Sequence, residues 1–391
     1  MPQNFLKNKD IAIIAYAETK LVRKSDMAGP DYAGQLLDAM LQQTGIDHAE
    51  IDGLACNLGS SMRFWPNYLA ENLGIQSRWT QCTDIGGASA VANVNRAALA
   101  IHGGQCSMAL CVATPPYDAA SHSQRASWLE FEHTVGYQGP AAGFALLQRA
   151  YDLKYGLKLE ALGRLAVAQR NGAVANDNAV ETLRKPISVE DYLNSRIIAD
   201  PIRLLDCVMP CRGAYGVLVT STNKAKELGI KKMVHPVAYS EMVNFNPKQS
   251  LPEVTETGFS VVGPEVLAKA GMSAEDIDMF HPYDDFLIAV LMQLEQIGFC
   301  ERGEGSRFLM ETDISPRGKL PINTGGGQIS AGQPSYCGSG LNMGEALRQL
   351  FGEAGERQIP NARTAMSTGI GIIRHFNNWG TSNAMIFERA A

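Results

Sequence analysis

A chain of 391 residues is long enough for two or three ordinary domains, or for one large duplicated unit with an insertion. Apolar residues at 45%, charged residues at 19% and 38 glycines describe a compact, turn-rich enzyme and exclude a disordered or fibrous chain. The net charge of -6 is offset by no basic block, which argues against nucleic acid and anionic membranes as partners and leaves any anionic substrate to be met by local cations.

No run approaches the roughly 18 apolar residues of a membrane span, and the opening MPQNFLKNKD lacks the apolar centre of a signal peptide, so a cytoplasmic protein is expected. The eight cysteines are sparse, and Cys207 and Cys211 form a C-x3-C pair with no second pair to match it. Free thiols are expected, with no metal site and no tightly bound cofactor.

In chain order, Asp10 to Thr19 reads as a buried strand. The next segment places Ala33, Leu36, Leu37, Met40 and Leu41 on one helical face and stops at Gly45, a helix-terminating residue. IDGLACNLG is the next strand, and after the turn at Gly86 and Gly87 the small-residue segment ASAVANVNRAALAIHGG is helical. CSMALCVA is again a buried strand, and this alternation predicts a parallel sheet covered by helices. From about 115 to 212 the pattern changes to Pro-Pro, aromatics and the helical stretch YDLKYGLKLEALGRLAVAQRNGA, which predicts a cap insertion. GAYGVLVTST then resumes the sheet.

One phrase is written twice. GIDHAEIDGLACN matches GMSAEDIDMFHPY, pairing Gly45 with Gly271, Ile51 with Ile277 and Asp52 with Asp278. Each copy follows a helix and precedes a glycine-rich turn, Gly87 in the first and Gly325 to Gly327 in the second, as an internal duplication requires. The expected division is residues 1–240, with the cap inside it, and 241–391.

The turn GGASAVANVNRAALAIHGG, the cap phrases YGLKLEALGRLAVAQRN and VEDYLNSRIIADPIRLLDC, the stretch YDDFLIAVLMQLEQIGFC, the loop NTGGGQISAGQPSYCGSG and the ending GIGIIRHFNNWGTSNAMIFE resemble the thiolase superfamily, in its sterol carrier protein X and lipid-transfer-protein branch. The resemblance implies an α/β chain with two duplicated halves in a five-layered α/β/α/β/α fold, a homodimer, and a partner with a small OB-fold and a zinc ribbon. The catalytic residues of a true thiolase are missing. The nucleophilic cysteine position falls on Gly87, Gly-His-Pro becomes Gly332-Gln333-Pro334, and His-Asp-Cys-Phe becomes Tyr283-Asp284-Asp285-Phe286.

Two tyrosines stand in those places, Tyr283 and the loop residue Tyr336, a pair similar to that of thiolase-like aldolases that remove steroid side chains. The reading that follows is retro-aldol cleavage of a 3-hydroxyacyl-CoA, coenzyme A being part of the substrate. Such a reaction needs a base for the hydroxyl, donors for the thioester oxygen and an acid for the carbon, but no covalent nucleophile. Tyr336 is assigned as base and Tyr283 as donor or relay, with the reverse assignment open. Asp284 either orients a catalytic group or caps the helix after it. Gly326, Gly327, Gln333, His281 and His375 are candidates for binding the substrate or its oxyanion, and Cys337 is read as packing. The rival readings are an acyltransferase using Cys82 or Cys337, and a non-catalytic acyl-CoA or lipid-binding subunit.

Overall fold

The computed structural model describes residues 4–57, 64–115, 134–137, 139–245, 253–371, 373–374 and 378–390. Nine strands form one sheet: β1 (Ile11–Glu18), β2 (Gly53–Asn57), β3 (Trp79–Thr83), β4 (Met108–Ala113), β7 (Tyr215–Ser221), β8 (Val234–Val243), β9 (Met279–His281), β10 (Thr364–Ile370) and β13 (Thr381–Arg389). Two small hairpins, β5 (Ile197–Ala199) with β6 (Ile202–Arg203) and β11 (Ile373–Arg374) with β12 (Asn378–Trp379), stand apart from it. The helices are α1 (Gly29–Thr44), α2 (Trp65–Leu73), α3 (Ser89–His102), α4 (Gly139–Tyr155), α5 (Leu159–Val174), α6 (Val189–Leu193), α7 (Thr222–Glu227), α8 (Phe259–Ala270), α9 (Leu287–Ile297), α10 (Gly305–Glu311), α11 (Gly327–Ala331) and α12 (Gly338–Phe351).

The sheet order is β3-β2-β4-β7-β1-β8-β13-β10-β9, and its centre is thin, since the backbone register between β1 and β8 is the single pair Ile13 and Val234. On either side of that junction the pattern is the same. β1 with β7 and β7 with β4 are antiparallel while β4 with β2 and β2 with β3 are parallel; β8 with β13 and β13 with β10 are antiparallel while β10 with β9 is parallel. A single parallel bridge from Phe280 to Ile322 stands where the second set has no full fifth strand. β8 runs across the 240/241 division drawn from the sequence and belongs to the second set, so the change of set falls between β7 and β8. The predicted all-parallel sheet is mixed, because β1 and β7 read as buried apolar runs that periodicity cannot orient. Sequence reading also passed over α2 and β3.

The repeated phrase adopts one structure. Gly45 (φ 69°) and Gly271 (φ 72°) end α1 and α8 in the left-handed conformation, and each is followed by a single 3-10 turn. Asp52 accepts from the amides of Ser107 (2.7 Å) and Met108 (2.9 Å), and Asp278 accepts from those of Arg363 (2.7 Å) and Thr364 (2.9 Å). Each aspartate thereby satisfies amide donors at the start of the next strand over, β4 in one set and β10 in the other.

Five layers result. α1 and α2 cover the outer face of the first set through Leu36, Met40, Leu69 and Ile14. α3 and α12 fill the middle, where Val94, Ala97, Met343 and Leu347 meet strands of both sets. The middle helices carry Ala and Gly on their packed faces because the two sets of strands close on them. α8 and α9 cover the second set, and α9 is buried all round, its polar Gln293, Glu295 and Gln296 included. The predicted cap helix is two helices, α4 and α5, separated at Gly156; α4 stacks Phe144 on Phe286 at 4.2 Å and α5 packs on α11.

Candidate functional site

The glycine turn 86–88 enters α3 and lies directly on β10. A side chain at Gly369 would stand 2.6 Å from the Ala88 Cα, and Asn383 on β13 donates to the Ala88 carbonyl (2.9 Å), so the turn is held from below. The turn Ser335–Cys337, which carries Tyr336, packs against it. Both turns precede the two middle helices, so they are presented side by side by the duplicated architecture.

Tyr283 closes the space above Gly87. A Cβ at Gly87 would lie 2.5 Å from Tyr283 Cε2 and nearer still to its hydroxyl end. The phenol therefore occupies the volume that any side chain at position 87 would need, and glycine is there because tyrosine is. The tyrosine is anchored at its backbone: its amide donates to Thr368 Oγ1 (2.8 Å), and Gln293 Nε2 donates to its carbonyl (2.8 Å). Its hydroxyl meets Asp285 and Gln333, and Gln333 Nε2 also donates to Asp285 Oδ1 (2.7 Å). Burial and the neighbouring Asp285 push the phenol well above its ordinary value, which keeps the proton on it. Burial likewise pushes Asp285 up to about 7, against the hydrogen bonds from Tyr283 and Gln333. A protonated phenol beside a carboxyl that titrates near neutrality is a donor–acceptor pair able to pass a proton.

Asp284 points the other way. Fully buried, it accepts from the amides of Gln328 (2.9 Å) and Ile329 (3.3 Å) at the start of α11, from Gln169 Nε2 on α5 (2.9 Å) and from Asn342 Nδ2 on α12 (2.9 Å). Burial raises it to about 7 in spite of these donors. The expectation that it caps the following helix is corrected: α9 has Phe286 at its N-cap with no side-chain bond, while Asp284 caps α11 and ties three helices together. The two adjacent aspartates have different partners, so one Asp-Asp pair serves both the phenol and the scaffold.

Gly326 (φ 105°) and Gly327 (φ 57°) are in the left-handed region, and side chains there would collide with Ala173 and Asp284. Their expected role as thioester donors is revised for Gly326, whose amide donates to the Asn323 carbonyl (2.8 Å). His281 is also behind the loop, not beside Tyr283's hydroxyl. Both its ring nitrogens and the Oδ1 atoms of Asn323 and Asn342 lack hydrogen-bond partners and belong to residues lining a cavity of about 20 Å³, a volume that admits one water. Burial lowers the His281 pKa to about 4, so the ring is neutral. Behind that cavity Glu345 accepts from Thr324 (3.0 Å) and pairs with Arg348 (2.7 Å) and Arg357 (3.1 Å), while Arg348 also meets Glu18 (2.6 Å). Desolvation opposes ionisation of Glu345, but the two arginines hold it down at about 2.

Structure thus joins Gly87, Tyr283 and Gln333 in one group, with the backbone of Tyr336 against it, and puts Asp284, Gly326, Gly327 and His281 in a supporting group. The Tyr336 side chain and His375 lie outside the described residues. Sequence reading left Asp285, Gln169, Asn342 and the Glu345 network without roles; only the doubled aspartate gave a signal. Cys337 is buried with its thiol raised by desolvation, and Cys82 lies on β3 beside Cys56. Among the described residues, no group of three or more His, Cys, Asp or Glu is arranged to hold a metal, and no helix is long and apolar enough to cross a membrane.

A duplicated five-layered α/β fold whose first glycine turn holds a glycine under a tyrosine defines a thiolase-like protein with no cysteine at position 87. Residues 240–381 match the family described as thiolase C-terminal domain-like. The chain is 27% identical to a steroid side-chain-cleaving aldolase of Thermomonospora curvata, over 92% of this chain and 95% of that one. It is 33% identical to a 17-hydroxy-3-oxo-4-pregnene-20-carboxyl-CoA lyase of Mycobacterium tuberculosis, over 62% of this chain and 63% of that one. The solved Ltp2-ChsH2(DUF35) aldolase superposes with a TM-score of 0.84 at 25% identity, covering 97% of this chain and 98% of that one. The family model, the relatives and the superposition together support the thiolase superfamily, in its sterol carrier protein branch.

Proposed function

We propose that this chain is a carbon–carbon lyase, an aldolase that cleaves a 3-hydroxyacyl-CoA, with a tertiary hydroxyl on a steroid side chain as its substrate. The observation that carries the proposal is the Tyr283 phenol in the volume a nucleophile at position 87 would fill. A covalent acyl-enzyme has no place to form at that turn, whereas retro-aldol chemistry needs only proton transfer and charge stabilisation. The names of the relatives point the same way.

In the proposed reaction a base removes the hydroxyl proton, the carbon–oxygen bond becomes a carbonyl, and the bond between the hydroxyl-bearing carbon and the thioester α-carbon breaks. Its electron pair passes into the thioester enolate, and protonation of the α-carbon releases a shorter acyl-CoA, propionyl-CoA or acetyl-CoA, beside the ketone. Tyr336 is assigned as base from its loop position. Tyr283, kept protonated, is the donor, and Asp285 with Gln333 replenishes its proton. Asp284 and the Glu345 network position the loop.

A homodimer and a partner with an OB-fold and a zinc ribbon complete the proposal. The first is supported by the edge position of β3, whose residues are mostly half-exposed, and the second by the two-component aldolase that the fold matches. The test is mass spectrometry of products from a 17-hydroxy steroid 20-carboxyl-CoA, with and without that partner. Release of the 17-ketone with propionyl-CoA, abolished in Tyr336→Phe, is the expected result. Intact substrate under both conditions overturns the steroid assignment.

A further inference from the structure

A cleft of about 550 Å³ opens beside the site, with Arg23, Lys24, Asp26, Arg212, Gln333 and Pro334 among its lining. Gln333 is shared between the cleft and the site, since its amide nitrogen meets Asp285. The wall beside it is fixed: the Gln333 amide donates to the Met209 carbonyl (2.9 Å) and the Cys211 amide donates to the Gln333 carbonyl (3.0 Å). A ligand lying in this cleft meets Gln333 together with three cations and a single acid.

Those cations are uncommitted. Arg23 donates to the Pro210 carbonyl (2.9 Å) and Arg212 to that of Met27 (3.1 Å), and the buried Nε of Arg212 has no partner. None of the three is ion-paired among the described residues. The cleft of about 530 Å³ at Arg164 and Arg357 carries more acids than bases. The cleft of about 560 Å³ at Arg184 has its arginines paired with Asp177, Glu18 and Glu345. In a chain of net charge -6, a surplus of free positive charge therefore stands beside the reacting groups.

We propose that this cleft seats the phosphate groups of coenzyme A, with Arg23, Lys24 and Arg212 meeting phosphate oxygens and the pantetheine arm running toward Gln333. The inference rests on the CoA-thioester reading above. Arg guanidinium forks and a Lys ammonium are the groups suited to phosphate, and a volume of this size lies within the range of small-molecule sites.

The experiment is calorimetric binding of free coenzyme A and of pantetheine, which lacks every phosphate, to the wild-type chain and to Arg23→Glu/Lys24→Glu, both exposed positions. The double variant is expected to bind coenzyme A at least about tenfold more weakly, to keep the wild-type affinity for pantetheine, and to lose most of the salt dependence. Arg212→Gln, with folding checked by circular dichroism, is expected to weaken coenzyme A alone as well. Coenzyme A binding within about twofold of wild type in the double variant assigns the phosphates elsewhere and overturns the proposal, leaving the lyase reading intact. A wild-type chain that binds neither compound overturns both.

Discussion

Gly87→Ala tests whether the tyrosine owns the space at the nucleophile turn. Position 87 is not in the left-handed region, so an alanine meets no torsional objection there; the nearest atoms in its way are those of Tyr283. The new methyl would sit 2.5 Å from Tyr283 Cε2, about 0.9 Å short of the 3.4 Å at which ordinary contact begins. The ring has little room to yield, because it is buried. Overpacking of this kind costs about 1–3 kcal/mol. A displacement near 1 Å of a reacting group lowers turnover by about 100-fold. Urea unfolding of Gly87→Ala, Tyr283→Ala and the double variant gives a closed cycle. Removing the ring makes room, so the methyl should cost at least about 1 kcal/mol less in the Tyr283→Ala background than alone. Equal cost in both backgrounds refutes the account of Gly87.

Three further outcomes follow from the site. Tyr283→Phe removes the donor while leaving the packing, and initial rates should fall about 100- to 10,000-fold with KM nearly unchanged; a purely structural tyrosine would leave kcat alone. Asp285 carries a folded-state pKa near 7 against the ordinary 3.8, so its contribution to stability is complete below about pH 4 and lost as pH rises to about 7. Asp285→Asn should therefore gain on wild type in urea midpoint between about pH 4 and 7, with no further gain at pH 8, and parallel profiles would refute the assignment. Cys82 is half-buried with its thiol lowered by a hydrogen bond from Cys56, whereas burial raises Cys337. Iodoacetamide, mapped by peptide mass spectrometry, should label Cys82 before Cys337 in the native chain with turnover retained; loss of turnover in step with either label favours an acyltransferase.

Periodicity placed β1, α1, β2, α3, β4 and β7, because each buries an apolar stripe or run that survives in one dimension. The repeated Gly…Ile-Asp phrase was also readable, since a left-handed helix end and an aspartate that satisfies the next strand's amides are local requirements. What escaped was set by pairing between distant segments. β3 is a half-exposed edge with no clean alternation, and the direction of β1 and β7 depends on neighbours 200 residues away. The parallel expectation failed there.

The residue substitutions were legible as well: glycine at the nucleophile turn, glutamine for histidine, and tyrosine with two aspartates in the later motif. The sequence, through its resemblance to the thiolase superfamily, determined the thiolase-like scaffold and the absence of a cysteine at position 87, because residue types at local turns state which groups exist. Only the tertiary structure decided that Tyr283 fills the volume over Gly87, that Asp285 serves the phenol while Asp284 binds three helices, and that Gly326 spends its amide within its own loop. Those outcomes depend on the direction of side chains brought together from positions 87, 169, 283, 333 and 342, and direction in space is fixed by packing, not by order along the chain.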